Sequence, residues 1–212
     1  MGLEDVVRSL GPEIVRAGRE AYSRGLVVGS SGNISALDPS RDYVVITPSG
    51  GNLGKLQVED LVVVDREGRK LWGRGRPSIE TPMHLAIYEV REDVGAVVHT
   101  HAPIATGFSV AGVEVLPVNV ESRIYIPRGV PVIPFKPPGT EELAEAVKSR
   151  IAEYNVVILE NHGVVAVGRT VEEALNLNLV VEECAKVQLV ARLLGRAVTR
   201  EELEEKFKGW KG

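Results

Sequence analysis

The apolar residues of this chain fall into short runs, separated by turns and by stretches with helical periodicity. The runs at 156–159 and 163–167 have the length of a buried strand and are far too short to cross a bilayer. The helical stretches repeat apolar residues at the spacing of an α-helix, as in 3–24. The 212 residues contain no repeat, linker or low-complexity tract, so the sequence predicts one α/β domain spanning 1–212.

The order of these patterns predicts how strands and helices alternate. Segments 61–64 and 70–72 flank a polar turn, which is typical of a β-hairpin. Pro82 fits only near a helix start, so a helix is predicted from Ser78 or Thr81 to Val90, followed by a buried strand at 94–99. Further helices are predicted at 3–24, at 103–110, at 140–153 with Thr140 as N-cap, and from Thr170. Because hairpins and crossovers are mixed, we expect a central mixed or antiparallel sheet covered by helices.

Charge, the first residues and cysteine content narrow the range of functions. A net charge of −4 argues against binding nucleic acid through a global field. The segment at 1–10 has neither a basic nor an apolar region of the kind that a secretory signal needs, so we expect no signal and no membrane partner. The single cysteine, Cys184, cannot form an internal disulfide, which favours a small buried residue in a reducing cytoplasm.

The chain has four histidines, and two of them form an H-x-H pattern. His99 and His101 end an apolar strand, where alternation places both on one face and Thr100 on the other. Their Cα atoms would lie about 7 Å apart, so both rings can reach one ion. The alternative is two polar residues at a strand end that water satisfies, and the pattern alone leaves both interpretations open.

His162 adds a third imidazole, in a tight Asn-His-Gly turn after another apolar strand. Strand ends next to turns are places where functional residues collect. Three histidines are the usual protein ligands of a catalytic zinc with an open position, whereas a structural zinc site more often uses cysteine. Neutral ligands leave the ion its full charge, which makes it a Lewis acid for a carbonyl oxygen. The pattern therefore favours a divalent ion held by His99, His101 and His162.

A carboxylate, Glu80, precedes the helix predicted around Pro82. From the residues alone it has two interpretations. It can be a charge that complements the helix macrodipole, which is very common, or a catalytic acid/base. His84 lies four residues further on, on the same helical face, and we expect it to pack or to support the site rather than to be a fourth metal ligand.

Three short segments are suited to binding an anion. They are Gly29-Ser30-Ser31-Gly32-Asn33, Thr47-Pro48-Ser49-Gly50 and Pro77-Ser78. Each offers small residues, backbone N–H groups and side-chain donors, which cradle phosphate in turns or at helix starts. None of them matches a Walker A or a G-x-G-x-x-G motif, so no nucleotide is expected. Because the chain is acidic, an anionic substrate would need this arrangement together with the charge of the metal.

In this order, the motifs resemble the class II aldolase/adducin-head family over nearly the whole chain. They are Gly32-Asn33, Thr47-Pro48-Ser49-Gly50, Pro77-Ser78-Ile79-Glu80, His99-Thr100-His101 and Asn161-His162-Gly163. The resemblance implies a three-layer α/β/α sandwich with a central, largely antiparallel sheet. It also implies a homotetramer with active sites between subunits.

The resemblance implies roles for single residues as well. Glu80 would be the acid/base beside a zinc ion, and the zinc ligands would be His99, His101 and His162. The residues implied in phosphate binding are Asn33, Ser49, Gly50 and Ser78, with Gly32 lining the pocket. A tyrosine from a neighbouring subunit is expected to donate a proton to the aldehyde oxygen; Tyr125 is the nearest candidate, although it does not align cleanly. Ile79 departs from the family, which often has a second serine there, so one phosphate hydrogen bond is lost or supplied differently.

The implied activity is the reversible cleavage of a ketose 1-phosphate, similar to L-fuculose 1-phosphate. The products would be dihydroxyacetone phosphate and an aldehyde such as lactaldehyde, with the metal binding the ketone and neighbouring hydroxyl oxygens. Three alternatives on the same scaffold stay open. They are a pentulose-5-phosphate 4-epimerase, a methylthioribulose-1-phosphate dehydratase and a non-catalytic, adducin-like assembly module.

Overall fold

Eight strands form one sheet in the computed structural model, which describes residues 2–210. The strands are β1 Asn33–Leu37, β2 Tyr43–Ile46, β3 Val62–Asp65, β4 Lys70–Trp72, β5 Ala96–Thr100, β6 Val132–Ile133, β7 Val156–Leu159 and β8 Gly163–Gly168. Their order across the sheet is β4-β3-β2-β1-β5-β8-β7-β6. Every neighbouring pair is antiparallel except β6 and β7, which are parallel. The sheet is therefore largely antiparallel, as predicted.

Helices cover both faces of this sheet. Within the described residues they are α1 Leu3–Ser23, α2 Thr81–Val90, α3 Pro103–Val110, α4 Val120–Tyr125, α5 Glu141–Ile151, α6 Val171–Leu193 and α7 Arg200–Lys206. One apolar core packs α1, α3 and α6 against one face, and a second core packs α2 and α5 against the other. The predicted three-layer α/β/α arrangement is confirmed. Every helix within residues 2–210 falls short of the length or apolarity that crossing a bilayer requires.

Strand β5 carries the H-x-H pattern, and its alternation decides which layer each side chain meets. Val97 belongs to the core under α2 and α5, whereas Val98 belongs to the core under α1 and α6. His99 has the parity of Val97 and therefore faces the α2 layer. Thr100 has the parity of Val98, and its hydroxyl donates to Asn178 Oδ1 on α6 at 2.6 Å. The end of β5 thus presents imidazole to one layer while it is anchored to the other.

Helix α6 also fixes the segment that follows β5. Asn178 Nδ2 donates to Val98 O at 3.0 Å, so one side chain binds both the backbone and a side chain of β5. One turn further along, the buried carboxylate of Glu182 accepts the N–H groups of Ile104 and Ala105, at 3.1 and 2.9 Å, at the start of α3. A carboxylate at this place satisfies N–H groups that have no partner within the helix.

Most elements with a local signal lie where the sequence predicts them. The β3–β4 hairpin is confirmed, α2 begins with Pro82 in its first turn, and Thr140 Oγ1 accepts the N–H of Leu143 to cap α5. The strand predicted at 94–99 lies at Ala96–Thr100. Strands β1 and β6 and helix α4 were not predicted, and β6 has only two residues. Strand β1 was missed because the alternating polar residues Asn33 and Ser35 interrupt its apolar pattern. Helix α4 was missed because six residues are too few to show a helical period.

Candidate metal and acid–base site

Three histidines from two distant segments meet at one end of β5 and β8. One ring nitrogen from each of His99, His101 and His162 can be chosen so that all three lie within 4.8 Å of one another. The ring centroids are between 4.8 and 5.1 Å apart. His99 Nε2 lies 3.3 Å from His162 Nε2. The structure therefore brings together the H-x-H pair and the histidine of the later turn.

A tight turn between β7 and β8 delivers His162 to this cluster. Asn161 has φ +57°, in the left-handed region that asparagine tolerates better than most residues. Gly163, two residues after Asn161, lies close to the end of β5. A Cβ on Gly163 would lie 2.2 Å from Thr100 O, so β8 can approach β5 this closely only with glycine at the position.

His99 is oriented by a hydrogen bond on its second ring nitrogen. Nδ1 lies 3.0 Å from Val164 O, so Nδ1 carries the hydrogen and donates it. The lone pair of Nε2 is left directed at the cluster, which is the arrangement that metal-bound histidines adopt. Burial lowers the pKa of His99 to about 4 and also lowers the pKa of His101. Both rings are therefore neutral near pH 7, the form that binds a metal.

Glu80 places its carboxylate beside two of these rings. Oε2 lies 3.2 Å from His99 Nε2, and Oε1 lies 3.7 Å from His162 Nε2. Glu80 is only 3% exposed. Burial by itself raises the pKa of Glu80, but the neighbouring His99 and a hydrogen bond from Asn33 outweigh it and hold the pKa below its ordinary value. The carboxylate is therefore ionised.

The donor set in this cluster fits a divalent cation. His99 Nε2 and the two Glu80 oxygens are all acceptors, and they converge with no hydrogen to share. Oε1 of Glu80 is buried and has no hydrogen-bond partner among residues 2–210, although such oxygens are normally satisfied. A cation would relieve this repulsion. Imidazole nitrogens together with a carboxylate oxygen are ligands that zinc prefers.

Asn33 connects the cluster to β1 and α2. Its Nδ2 donates to Glu80 Oε2 at 2.8 Å, and its Oδ1 lies 2.6 Å from His84 Nε2. Asn33 also sits directly opposite His99 in the β1–β5 register. The preceding Gly32 has φ +77°, and a Cβ there would lie 2.8 Å from His99 O. The sequence predicts a phosphate-binding role for Asn33, whereas its amide in the structure is engaged by Glu80 and His84.

The other residues predicted to bind phosphate flank Glu80. Ser78 Oγ accepts the N–H of Glu80 at 3.2 Å, at the start of α2. Ser49 and Gly50 form an exposed turn beside the same segment, because the N–H of Ser49 donates to Arg76 O at 2.9 Å. The two predicted anion-binding segments are thus neighbours. The N–H of Gly51 donates to Pro48 O, so Gly50 is the residue of this turn whose N–H has no backbone partner in the described part of the chain.

Tyr125 lies away from the histidines of its own chain. It ends α4, is half exposed and lines a cavity of about 640 Å³ together with Asn155 and Gly168. Strand β8 starts beside His162 and ends at Gly168, so this cavity is about 17 Å from the cluster along the strand. A role for Tyr125 at the cluster therefore requires a second copy of the chain.

Two buried hydroxyl groups near the site were not predicted. Ser35 Oγ lies 2.7 Å from His84 Nδ1 and 2.8 Å from Tyr88 OH. The signal that could have predicted these contacts is the spacing of the residues in the sequence. Glu80, His84 and Tyr88 recur every four residues along α2, while Asn33 and Ser35 are two apart on β1. Each spacing places its residues on one face of its element.

Known proteins resemble this chain over most of its length. L-fuculose phosphate aldolase from Methanococcus maripaludis is 37% identical over 174 residues, which cover 82% of this chain and 92% of that protein. A 5-deoxy-D-ribulose 1-phosphate aldolase from Bacillus thuringiensis is 32% identical over 203 residues, covering 93% and 95%. Relatives with other names also match: a 3-oxo-tetronate 4-phosphate decarboxylase from Haemophilus influenzae at 37% identity and an L-ribulose-5-phosphate 4-epimerase from Salmonella paratyphi B at 30%.

A related protein of known structure has the same fold. A solved structure of L-fuculose 1-phosphate aldolase superposes with a TM-score of 0.83 at 31% identity, covering 98% of each chain. Residues 12–189 match the family model described as Class II Aldolase and Adducin N-terminal domain. With the sheet, the layers and the ordered motifs described above, these matches show that the chain belongs to the class II aldolase and adducin N-terminal domain family.

Proposed function

We propose that this protein is a metal-dependent aldolase that reversibly cleaves a ketose 1-phosphate, similar to L-fuculose 1-phosphate. The products are dihydroxyacetone phosphate and an aldehyde such as lactaldehyde. One observation carries the proposal: three imidazoles and the buried, ionised carboxylate of Glu80 converge on one point. The relatives named as aldolases of sugar phosphates support this class of reaction.

Zinc is the proposed ion, one per chain, and the proposed ligands are His99, His101 and His162. When bound, the ion would supply Lewis-acid polarisation of the ketone and neighbouring hydroxyl oxygens of the substrate. The neutral state of His99 and the unsatisfied oxygen of Glu80 support a cation at this point.

Glu80 is the proposed acid/base, which moves the proton at the carbon next to the carbonyl. Its Oε2 is held by Asn33 at 2.8 Å, whereas Oε1 faces the cluster without a hydrogen-bond partner in the described part of the chain. A carboxylate held by one oxygen keeps the other free to accept and return a proton. The burial of Glu80 also limits exchange of that proton with bulk water.

The phosphate group is proposed to bind between the Ser49–Gly50 turn and the start of α2. The N–H of Gly50, the Ser78 region and the positive end of α2 are suited to an anion. Ile79, 62% exposed, adds no polar group there. Ser49, Gly50 and Ser78, with Gly32 and Asn33 behind them, form this proposed pocket.

Three other functions remain as competitors. A 4-epimerase is supported by the relative of that name and would break and remake the same carbon–carbon bond without releasing an aldehyde. A dehydratase acting on methylthioribulose 1-phosphate would release water instead. A non-catalytic assembly module is opposed by the site, because burying the ionised carboxylate of Glu80 beside His99 and His162 lowers the stability of a chain that binds no cation there.

The proposed assembly is a homotetramer in which Tyr125 of one chain reaches the cluster of the next and donates a proton to the aldehyde oxygen. Tyr125 is half exposed and lies far from the cluster of its own chain, which is what a residue given to a neighbouring chain requires. Light scattering tests the assembly, and a monomeric, fully active protein would exclude this role of Tyr125.

The proposed location is the cytoplasm. The only cysteine, Cys184, is fully buried, and its thiol donates to Leu116 O at 2.8 Å, so it serves as a small core residue. Recovery of the protein outside the cytoplasmic fraction of its native cells would refute this location.

The test is a substrate screen on the purified, metal-analysed protein. Wild type, Glu80→Gln and the exposed control Glu92→Gln are incubated with ketose 1-phosphates, and the released aldehyde is trapped and identified. We expect about one zinc per chain in all three proteins. Loss of the acid/base lowers the rate of Glu80→Gln by about 10²–10⁴-fold, while Glu92→Gln stays at the wild-type rate.

His162→Ala separates the metal role from the acid/base role. This variant should lose zinc, whereas Glu80→Gln should retain it. Conversion of the substrate without trapped aldehyde would favour the epimerase. Less than one ion per chain, together with activity that a chelator leaves unchanged, would refute the metal-dependent reaction.

A further inference from the structure

A continuous line of hydrogen bonds runs through the interior from α2 to the carboxylate of Glu80. Tyr88 OH lies 2.8 Å from Ser35 Oγ, and Ser35 Oγ lies 2.7 Å from His84 Nδ1. His84 Nε2 lies 2.6 Å from Asn33 Oδ1, and Asn33 Nδ2 lies 2.8 Å from Glu80 Oε2. All five residues are buried. We call this line the Tyr88–Glu80 chain.

The direction of every hydrogen bond in the Tyr88–Glu80 chain follows from its last member. An ionised carboxylate only accepts, so Asn33 must present its NH₂ group to Glu80 and its oxygen to His84. That oxygen can only accept, so His84 carries its hydrogen on Nε2, and its bare Nδ1 accepts from Ser35. The Ser35 hydroxyl has then given its hydrogen and accepts one from Tyr88. One arrangement of hydrogens satisfies all five groups.

We propose that His84 is a positioning residue for Glu80: through Asn33 it fixes the orientation of the carboxylate, so that Oε2 is tied to Asn33 beside His99 and Oε1 is directed towards His162. The inference rests on the proposed function, in which Glu80 moves a proton. The side chain of His84 forms no hydrogen bond to the metal ligands in the described part of the chain, and it reaches the carboxylate of Glu80 only through the amide of Asn33.

The amide of Asn33 explains why such a support is needed. An Asn side chain can rotate by half a turn with little change of shape, which would point its oxygen at the carboxylate of Glu80 and repel it. The Nε2–H of His84 prevents this rotation, because it requires an acceptor at 2.6 Å. A merely space-filling residue at position 84 would not distinguish the two ends of the amide.

Burial argues that the polar contacts of His84 have a function. The ring is completely buried in the layer between β1 and α2, where an apolar side chain of similar size would pack without needing partners. Instead both nitrogens are satisfied, one by a donor and one by an acceptor. The lowered pKa of His84, about 3 because of burial, keeps the ring in the neutral form that offers one of each.

The first test observes the hydrogens without using the reaction. Two-bond ¹H–¹⁵N spectra of the ¹⁵N-labelled, zinc-loaded protein report the tautomer of each of its four histidines, and the His84→Gln variant assigns one signal to His84. We expect the Nε2–H tautomer and no titration through the neutral range. An Nδ1–H tautomer or a charged ring would overturn the inference, whatever the catalytic activity proves to be.

The second test is kinetic and uses three substitutions. His84→Phe keeps the bulk and removes both hydrogen bonds. His84→Gln can offer a donor and an acceptor at nearly the same separation. Ile87 lies on the same helix, is fully buried and does not belong to the Tyr88–Glu80 chain. Ile87→Val therefore provides a control for a small loss of stability. Each is assayed for kcat, KM and zinc content with the ketose phosphate that wild type cleaves.

A positioning role predicts a particular split among these measurements. For His84→Phe we expect kcat to fall about 10–100-fold with KM changed less than about threefold and one zinc per chain retained, as for other residues that support a catalytic group. His84→Gln should recover most of the loss, and Ile87→Val should show none. Equal activity of the Phe and Gln variants would overturn the inference.

Should His84→Phe fail to fold, Tyr88→Phe and the tautomer of His84 still decide the inference. Tyr88→Phe should keep the His84 tautomer and lose much less activity than Glu80→Gln, and a loss as large as that of Glu80→Gln would contradict the scheme.

Discussion

Replacement of Gly163 by alanine should disrupt the site by moving backbone rather than by removing a functional group. The new Cβ would lie 2.2 Å from Thr100 O and 3.1 Å from His99 Cε1, whereas ordinary contacts begin at 3.4 Å. The strand end must therefore move by about 1.2 Å, the difference between 3.4 and 2.2 Å. The obstacle is a carbonyl group within the β5–β8 ladder, so no flexible side chain can give way.

This displacement sets the expected magnitudes. Overpacking against fixed backbone costs about 1–3 kcal/mol of stability. Zinc affinity should be affected more strongly than stability. Distances between a metal and its ligands tolerate a change of only about 0.2 Å, and the strand end would move several times further. His99 lies before Thr100 and His162 before Gly163, so the two imidazoles separate. We expect zinc affinity to fall at least about 10–100-fold.

Two measurements on Gly163→Ala check this reasoning. Urea unfolding with a chelator present gives the stability of the metal-free protein, and competition with a chromophoric zinc indicator gives the affinity. The control is Gly107→Ala, because Gly107 lies inside α3 with no atom within 4 Å of its added Cβ. The control should gain about 0.5–1 kcal/mol and bind zinc normally. A Gly163→Ala protein that binds zinc within about threefold of wild type would refute the close-packing argument.

Two further predictions concern stability. Burial lowers the pKa of His84 to about 3 and the pKa of His99 to about 4, below the ordinary value of 6.5. As pH falls below 6.5, the unfolded chain therefore binds protons before the folded chain does. Each of the two residues should lower the free energy of unfolding by about 1.4 kcal/mol per pH unit down towards pH 4. In urea unfolding of the chelated protein, His84→Gln should reduce the slope by the share of His84, about 1.4 kcal/mol per pH unit, and an unchanged slope would contradict this. The guanidinium of Arg41 donates to four carbonyl groups, those of Tyr88, Arg91, Glu92 and Val94, while its backbone has φ +64°. Arg41→Ala should therefore lower the free energy of unfolding by about 2–4 kcal/mol. Arg41→Gly should be about 1 kcal/mol more stable than the alanine variant, and thermal unfolding that gives the opposite order would contradict this.

The parts of the fold that could be predicted are those with a local cause. Pro82 marks the start of α2, Thr140 caps α5, and the turn at 65–68 closes the β3–β4 hairpin. In each case one or two neighbouring residues determine the backbone. The H-x-H pattern could be placed on one face of β5 for the same reason, since strand alternation is a property of adjacent residues.

The remaining features depend on residues far apart in the sequence. Asn33 and Glu80 are separated by 47 positions, and His99 and His162 by 63, so no local pattern reports that they meet. Strand β1 was hidden because its polar residues are directed at a buried hydrogen-bond network rather than at solvent. That network joins β1 to α2, and the order β1-β5-β8 brings Asn33 opposite His99; no local pattern reports either contact.

The charges of the proposed site explain how an acidic protein can bind a phosphorylated sugar. Three neutral imidazoles and one ionised Glu80 would leave a divalent ion with a net charge of about +1. The Ser49–Gly50 turn contains neither lysine nor arginine, and the chain as a whole carries −4. We therefore expect attraction for the phosphate to come from oriented N–H groups and from the ion, which act over a short range. Protonation of Glu80 or of His99 would change that balance directly, so in the proposed site the burial that lowers the pKa of His99 would support substrate binding as well as metal binding.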